Sequence, residues 1–188
     1  MGAPMQKPRT FIGSSVTGEP IARAVELNLS FETETYLWPH MFPLGKGNLE
    51  SLVDAVTTVD FGVLVLTPDD MTESKGLAMN SPRDNVLFEL GLFMGRLGRE
   101  RTFAVHNHDE PIKLPSDLAG VTLATFPNYR GNNLRAQVSS ACTPIIEAIR
   151  NLGRLQTSPV INPRYDHDLQ ILVEAVNNDS VALLAMQP

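Results

Sequence analysis

Apolar and polar positions along this chain follow two periods that alternate. Short branched or aromatic runs at 9–13 (RTFIG), 34–38 (ETYLW) and 61–66 (FGVLVL) have the length and composition of strands. Between them, 20–29, 49–59 and 85–96 repeat apolar residues every three or four positions, as helices do. Further strands are expected at 101–106 (RTFAVH) and 121–126, and one long helix at 133–152. Strand-helix alternation of this kind predicts an α/β domain with a mainly parallel sheet. FGVLVL is almost continuously apolar, as a strand buried on both faces should be.

The punctuation agrees with this division. Gly13-Ser14-Ser15 ends the first strand, Pro39 stops the second and Asp60 closes the second helix. Residues 67–83 (TPDDMTESKGLAMNSPR) are polar and broken by Pro and Gly, so they read as a loop of unusual length and a candidate for function. Residues 155–164 carry two prolines and read as a linker. An amphipathic helix is expected over 166–184, with Leu169, Leu172, Val173, Val176 and Leu183 on one face. The chain thus divides into a domain at 9–153 and a linker with a terminal helix at 154–188. A length of 188 residues suits one well-cored domain.

One carboxylate breaks the pattern. In the helix predicted at 85–96, the stripe Val86, Glu89, Leu90, Phe93, Met94 places Glu89 among core residues. A half-buried carboxylate is costly unless paired or working, which makes it a site candidate. The alternative is an acid in the first helical turn complementing the macrodipole. Arg83 and Asp84 stand nearest in sequence as partners.

In an open parallel sheet, ligands bind at the carboxyl ends of the strands, where the strand order reverses. Gly13-Ser14-Ser15, Trp38, Asp69-Asp70 and Glu89 all fall at that rim. The Gly-Ser turn opens toward a helix start and can receive a phosphate or ribose hydroxyl, or be a plain strand-to-helix turn. Trp38 can stack on a base or nicotinamide, or simply pack. His106 and His108 lack a third ligand for a metal and read as surface or structural residues. Cys142, the single cysteine, has no His partner implied and is a poor nucleophile. One buried acid, a phosphate-accepting turn and a stacking ring suit cleavage of a glycosidic bond whose leaving group carries positive charge.

Charge and composition narrow the classes. Fifteen basic against 21 acidic residues, a formal net charge of −6, argue against a protein that mainly holds nucleic acid. No apolar run approaches the ~20 residues of a membrane span. One cysteine excludes an intramolecular disulfide, and MGAPMQKPRT lacks the apolar core of a secretory signal and the myristoylation pattern. A cytoplasmic protein is expected.

The segments FIGSS (11–15), DFGVLVLTPDD (60–70), SPRDNVLFELGLFMGRLGRERTF (81–103) and LPSDLAG (114–120) resemble a bacterial TIR-like domain once described as a predicted nucleotide-binding protein. That domain occurs in TIR-STING effectors of cyclic-oligonucleotide (CBASS) anti-phage systems and in Pycsar TIR effectors. The resemblance implies a flavodoxin-like, three-layer TIR fold and an NAD+ glycohydrolase activated by TIR self-association. NAD+ is then a substrate, with no separate cofactor and no metal. Carried over by position, the catalytic residue is Glu89, and the pocket includes Ser14, Ser15, Trp38, Arg83 and Asp84. Such effectors carry a sensor domain or chain that answers a cyclic nucleotide or other phage signal, whereas about 60 residues follow the last predicted strand here. A nucleoside deoxyribosyltransferase-like or nucleotide hydrolase activity, and a non-catalytic assembly or nucleotide-binding module, are the alternatives.

Overall fold

The computed structural model describes residues 6–38, 48–74, 76–118, 122–128 and 133–155. Five parallel strands form the sheet: β1 (Arg9–Ser14), β2 (Glu34–Leu37), β3 (Phe61–Leu66), β6 (Thr102–Asn107) and β7 (Thr122–Phe126). Their order is β2-β1-β3-β6-β7, the flavodoxin-like order of a doubly wound sheet. The chain moves from β1 outward to β2 and then returns past β1 to β3, so the order reverses between β1 and β3.

Helices α1 (Glu19–Leu29) and α5 (Ser139–Leu152) cover one face, and α2 (Asn48–Thr58) and α3 (Asp84–Leu97) the other. Alternation along β3 shows the two layers directly. Val63 and Val65 enter the core under α1 and α5, while Leu64 and Leu66 enter the core under α2 and α3. Among the described residues no helix is long and apolar enough to cross a membrane.

Three expectations are corrected. Residues 67–83 are not one loop, because β4 (Asp70–Ser74) and β5 (Leu77–Ser81) pair there as an antiparallel hairpin with Gly76 at φ +77° in its turn. Met71, Leu77 and Met79 are exposed, so no buried face imposes the alternating pattern by which strands are read. The final helix is two helices, α4 (Leu134–Gln137) and α5, broken at Val138. The Ser139 hydroxyl donates to the Ala136 carbonyl at 2.7 Å, a local bond that competes with helix continuation. The first strand also runs one residue further, through Ser14.

The amino ends of the strands are closed by Asp60 and Arg101. The Asp60 carboxylate accepts the backbone N–H groups of Arg9 (2.7 Å) and Leu155 (2.8 Å). Arg101 donates to the Gly153 and Leu152 carbonyls at 2.9 and 3.1 Å, satisfying the end of α5, and lies 4.8 Å over the Phe61 ring. The described residues belong to one compact unit, Met1–Leu155. The expected terminal helix, and the linker beyond Leu155, lie outside the described residues.

Candidate active site

Helix α3 is seated by glycines. Phe93 stacks on Phe11 with ring centroids 4.6 Å apart, and a β-carbon on Gly62 would stand only 2.7 Å from the Phe93 ring. One helical turn earlier on the same stripe is Glu89. A β-carbon on Gly13 would stand 2.7 Å from Leu64, 2.8 Å from Phe11 and 3.1 Å from Glu89 Oε2. Two missing side chains on neighbouring strands therefore let α3 approach the sheet closely enough to lay a carboxylate against the end of β1.

Glu89 is half-buried, and its Oε2 is enclosed without a hydrogen-bond partner. Burial alone pushes its carboxyl up to about 7. The helix begins at Asp84, so Glu89 lies in the second turn and Asp84 is the acid of the first. The macrodipole reading therefore belongs to Asp84 and not to Glu89.

The expected pairing with Arg83 and Asp84 is not formed. Both side chains are exposed, and Arg83 occupies the N-cap position in extended conformation without a capping bond. Five residues along a helix turn a side chain well away from its starting face, which separates Asp84 from Glu89.

Of the two serines, only Ser14 has an uncommitted hydroxyl. Thr67 Oγ1 donates its single proton to Asp69 Oδ2 at 2.9 Å, so its 3.1 Å bond with Ser15 must have Ser15 as donor. Ser15 Oγ in turn accepts the Gly18 N–H at 3.1 Å. This chain ties the loop after β1 to the loop after β3 across the crevice where the strand order reverses. Ser15 is thus used as a fastener, whereas Ser14 Oγ is buried without a partner. Strand alternation directs Ser14 toward Gly18, on the face opposite Glu89, so the two meet only over the end of β1.

The Gly-Ser turn does not open the helix as expected, because α1 starts at Glu19 with Gly18 as its N-cap. Trp38 is half-buried directly after β2, its backbone N–H donating to the Ile12 carbonyl at 2.9 Å and its ring packed partly on the core under α2 and α3. Residues 39–47, which follow it, lie outside the described residues. His108 pairs with Asp109 at 3.0 Å, and no cluster of three metal-binding side chains occurs among the described residues. Cys142 is buried, which pushes its thiol up to about 12 and removes it as a nucleophile.

The sequence pattern places Gly13 in a turn and does not mark it as a contact of Glu89. A glycine inside an apolar strand is the signal of close approach that was available.

Residues 9–128 match the family described as CAP12/Pycsar effector protein, TIR domain. CD-NTase-associated protein 12 of Flavobacterium daejeonense is 34% identical over 181 residues, covering 93% of this chain and 58% of that protein. Pycsar effector protein PaPycTIR of Pseudomonas aeruginosa is 39% identical over 150 residues, covering 78% of this chain and 47% of that protein. The chain spans about half the length of these curated relatives. Among solved structures, the flavodoxin-like domain of a Synechococcus protein matches with a TM-score of 0.46 and 13% identity, over 76% of this chain and 99% of that one. With its strand order, its Glu89-bearing helix and this match over 9–128, the chain belongs to the CAP12/Pycsar effector TIR-domain family.

Proposed function

We propose that this chain is the NAD+ glycohydrolase domain of an anti-phage effector. The observation that carries the reading is Glu89 Oε2, a buried carboxylate oxygen without a partner at the ligand-binding rim of a doubly wound sheet. Such an oxygen is poised to receive positive charge. In NAD+ the bond between ribose C1′ and the nicotinamide nitrogen breaks, the electron pair leaves with nicotinamide, and C1′ becomes oxocarbenium-like. Ionised Glu89 stabilises that carbon, water adds to it and releases a proton, and ADP-ribose results. No metal is required, because the leaving group is already cationic.

Supporting positions follow from the rim. Ser14 supplies a free hydroxyl over the end of β1, and Trp38 offers a ring after β2. Arg83 and Asp84 flank the start of α3 as solvent-facing contacts for the dinucleotide. The relatives are named CD-NTase-associated protein 12 and Pycsar effector protein, which, with the resemblance drawn from the sequence, supports a cytoplasmic effector switched on through self-association by a sensor domain or chain.

The test is nicotinamide release from NAD+ as a function of protein concentration, for the wild type and Glu89→Gln. Cooperative onset in the wild type and loss of at least about a hundredfold in the variant are expected, the scale of removing a charge-stabilising group. Equal release from both proteins defeats the assignment of Glu89. Binding of NAD+ without turnover at any concentration favours the assembly-module alternative.

A further inference from the structure

We propose that a second site, at the opposite end of the sheet from Glu89, binds a phosphate-bearing small molecule of nucleotide size. A cleft of about 710 Å³ opens there beside the amino ends of β1 and β2, within the usual size range of small-ligand pockets. Lys7, Arg9 and Arg154 line it with one lining carboxylate, Glu34, and the buried Asp60 carboxylate stands behind Arg9 and Arg154. Three cations against Glu34 and Asp60 leave a net positive cleft in a chain of net charge −6.

Two of those cations have structural work. Lys7 Nζ donates to the Ser30 carbonyl at 3.1 Å, at the carboxyl end of α1 where a cation is favoured. Arg154 bonds to Gln6 and stands 3.8 Å from the Asp60 carboxylate. Arg9 has no such explanation for its guanidinium. Its Nε is enclosed without a partner, an N–H cut off from water and from protein acceptors.

The backbone under Arg9 is fixed, since its N–H and carbonyl both bond to Asp60 at 2.7 Å. A planar guanidinium on a fixed strand end, with an ammonium and a second guanidinium in the same cleft, is the donor arrangement that a phosphate selects. Burial and the neighbouring Glu34 carboxylate push the Tyr36 hydroxyl above its ordinary value. Tyr36, packed partly on the core under α2 and α3, also lines the cleft, where an aromatic residue can border a base or sugar.

The four residue steps from Arg9 to Gly13 separate this cleft from the Glu89 rim by about 13 Å along β1, so ligands at the two places are distinguishable residue by residue. The experiment titrates the ¹⁵N-labelled full chain with AMP, ribose 5-phosphate, inorganic phosphate and adenosine. AMP and ribose 5-phosphate are expected to shift the Thr35 and Tyr36 amides and the Arg9 Nε–H saturably, whether or not Ser14 and Leu66 at the Glu89 rim also move. Inorganic phosphate should bind there more weakly, and adenosine should not bind there.

Arg9→Gln and Arg154→Gln should each weaken AMP at least about tenfold, the scale of one charge-assisted bond. Lys7→Gln on the exposed rim is the variant of choice if the arginine changes disturb the spectrum. Shifts confined to Ser14 and Leu66, adenosine matching AMP, or undiminished AMP binding in the folded variants would overturn the site. Inorganic phosphate binding as tightly as AMP would overturn its assignment to a nucleotide-sized ligand.

Discussion

Glu89 Oε2 lies 3.1 Å from the point where a β-carbon on Gly13 would stand, and that oxygen has no hydrogen-bond partner. The glycine is what allows a carboxylate on α3 to reach the last residues of β1. Gly13→Ala places a methyl 2.7 Å from Leu64 and 2.8 Å from Phe11 as well. Overpacking of this kind costs about 1–3 kcal/mol, to be read from urea denaturation. Nicotinamide release should fall by more than the loss of folded protein explains, because the carboxylate is displaced. Activity and stability both at the wild-type level would contradict this account of Gly13.

The same burial makes stability depend on pH. Glu89 titrates at about 7 in the folded chain against an ordinary 4.5, so between these values the folded state holds a proton that the unfolded state has lost. Stability is therefore full below about pH 4.5 and declines as pH rises toward 7. Glu89→Gln removes the penalty. Its melting temperature should match the wild type near pH 4.5 and exceed it above pH 7, by an amount equivalent to at most about 3 kcal/mol. A difference independent of pH would show that Glu89 is not the group responsible.

Catalysis should follow the opposite limb of that titration. If ionised Glu89 stabilises the oxocarbenium-like carbon, nicotinamide release must rise with pH as the carboxylate forms, with a half-point near 7 for the free enzyme. The dependence of kcat/KM on pH measures it. A profile already flat between pH 5 and 7 would be inconsistent with a carboxylate in this environment.

The two serines should separate in opposite assays. Ser15→Ala removes the donor to Thr67 and the acceptor for the Gly18 N–H, costing about 1–3 kcal/mol of stability. Ser14→Ala deletes a hydroxyl that has no partner, so stability should hold or rise slightly while the KM for NAD+ increases. Paired urea melts and steady-state kinetics on both variants check this, and the reverse pattern would reassign the serines.

Asp60 is expected to matter for folding alone. Its carboxylate accepts two backbone N–H groups and lies at the end of the sheet away from Glu89. Asp60→Ala leaves both amides unpartnered and costs about 2–5 kcal/mol. Nicotinamide release per folded molecule, measured well below the melting temperature, should be unchanged.

Much of this was legible in the chain. The parallel sheet could be read because strands buried on both faces are apolar throughout and the helices between them keep their stripe, as FGVLVL and the α3 stripe do. Glu89 was visible for a complementary reason: a charge inside that stripe has no place in a plain core. The β4–β5 hairpin was not visible, since neither face is buried deeply enough to impose a period of two. The break at Val138 was hidden because Ser139 acts through a local bond that hydrophobic spacing does not record.

By itself the sequence determined the order of the five sheet strands and the helices between them, their faces and the presence of one misplaced acid, because burial over many residues leaves a period in the chain. Tertiary structure decided which groups meet that acid. Arg83 and Asp84, near in sequence, turn to solvent, while Gly13, 76 residues away, lies against Glu89 through the absence of a side chain. It also decided that Ser15 is a fastener and Ser14 is free, because that depends on a hydroxyl of Thr67 on another strand's loop. Contacts made by empty space or by proton order leave no pattern along the chain, and only the folded arrangement specifies them.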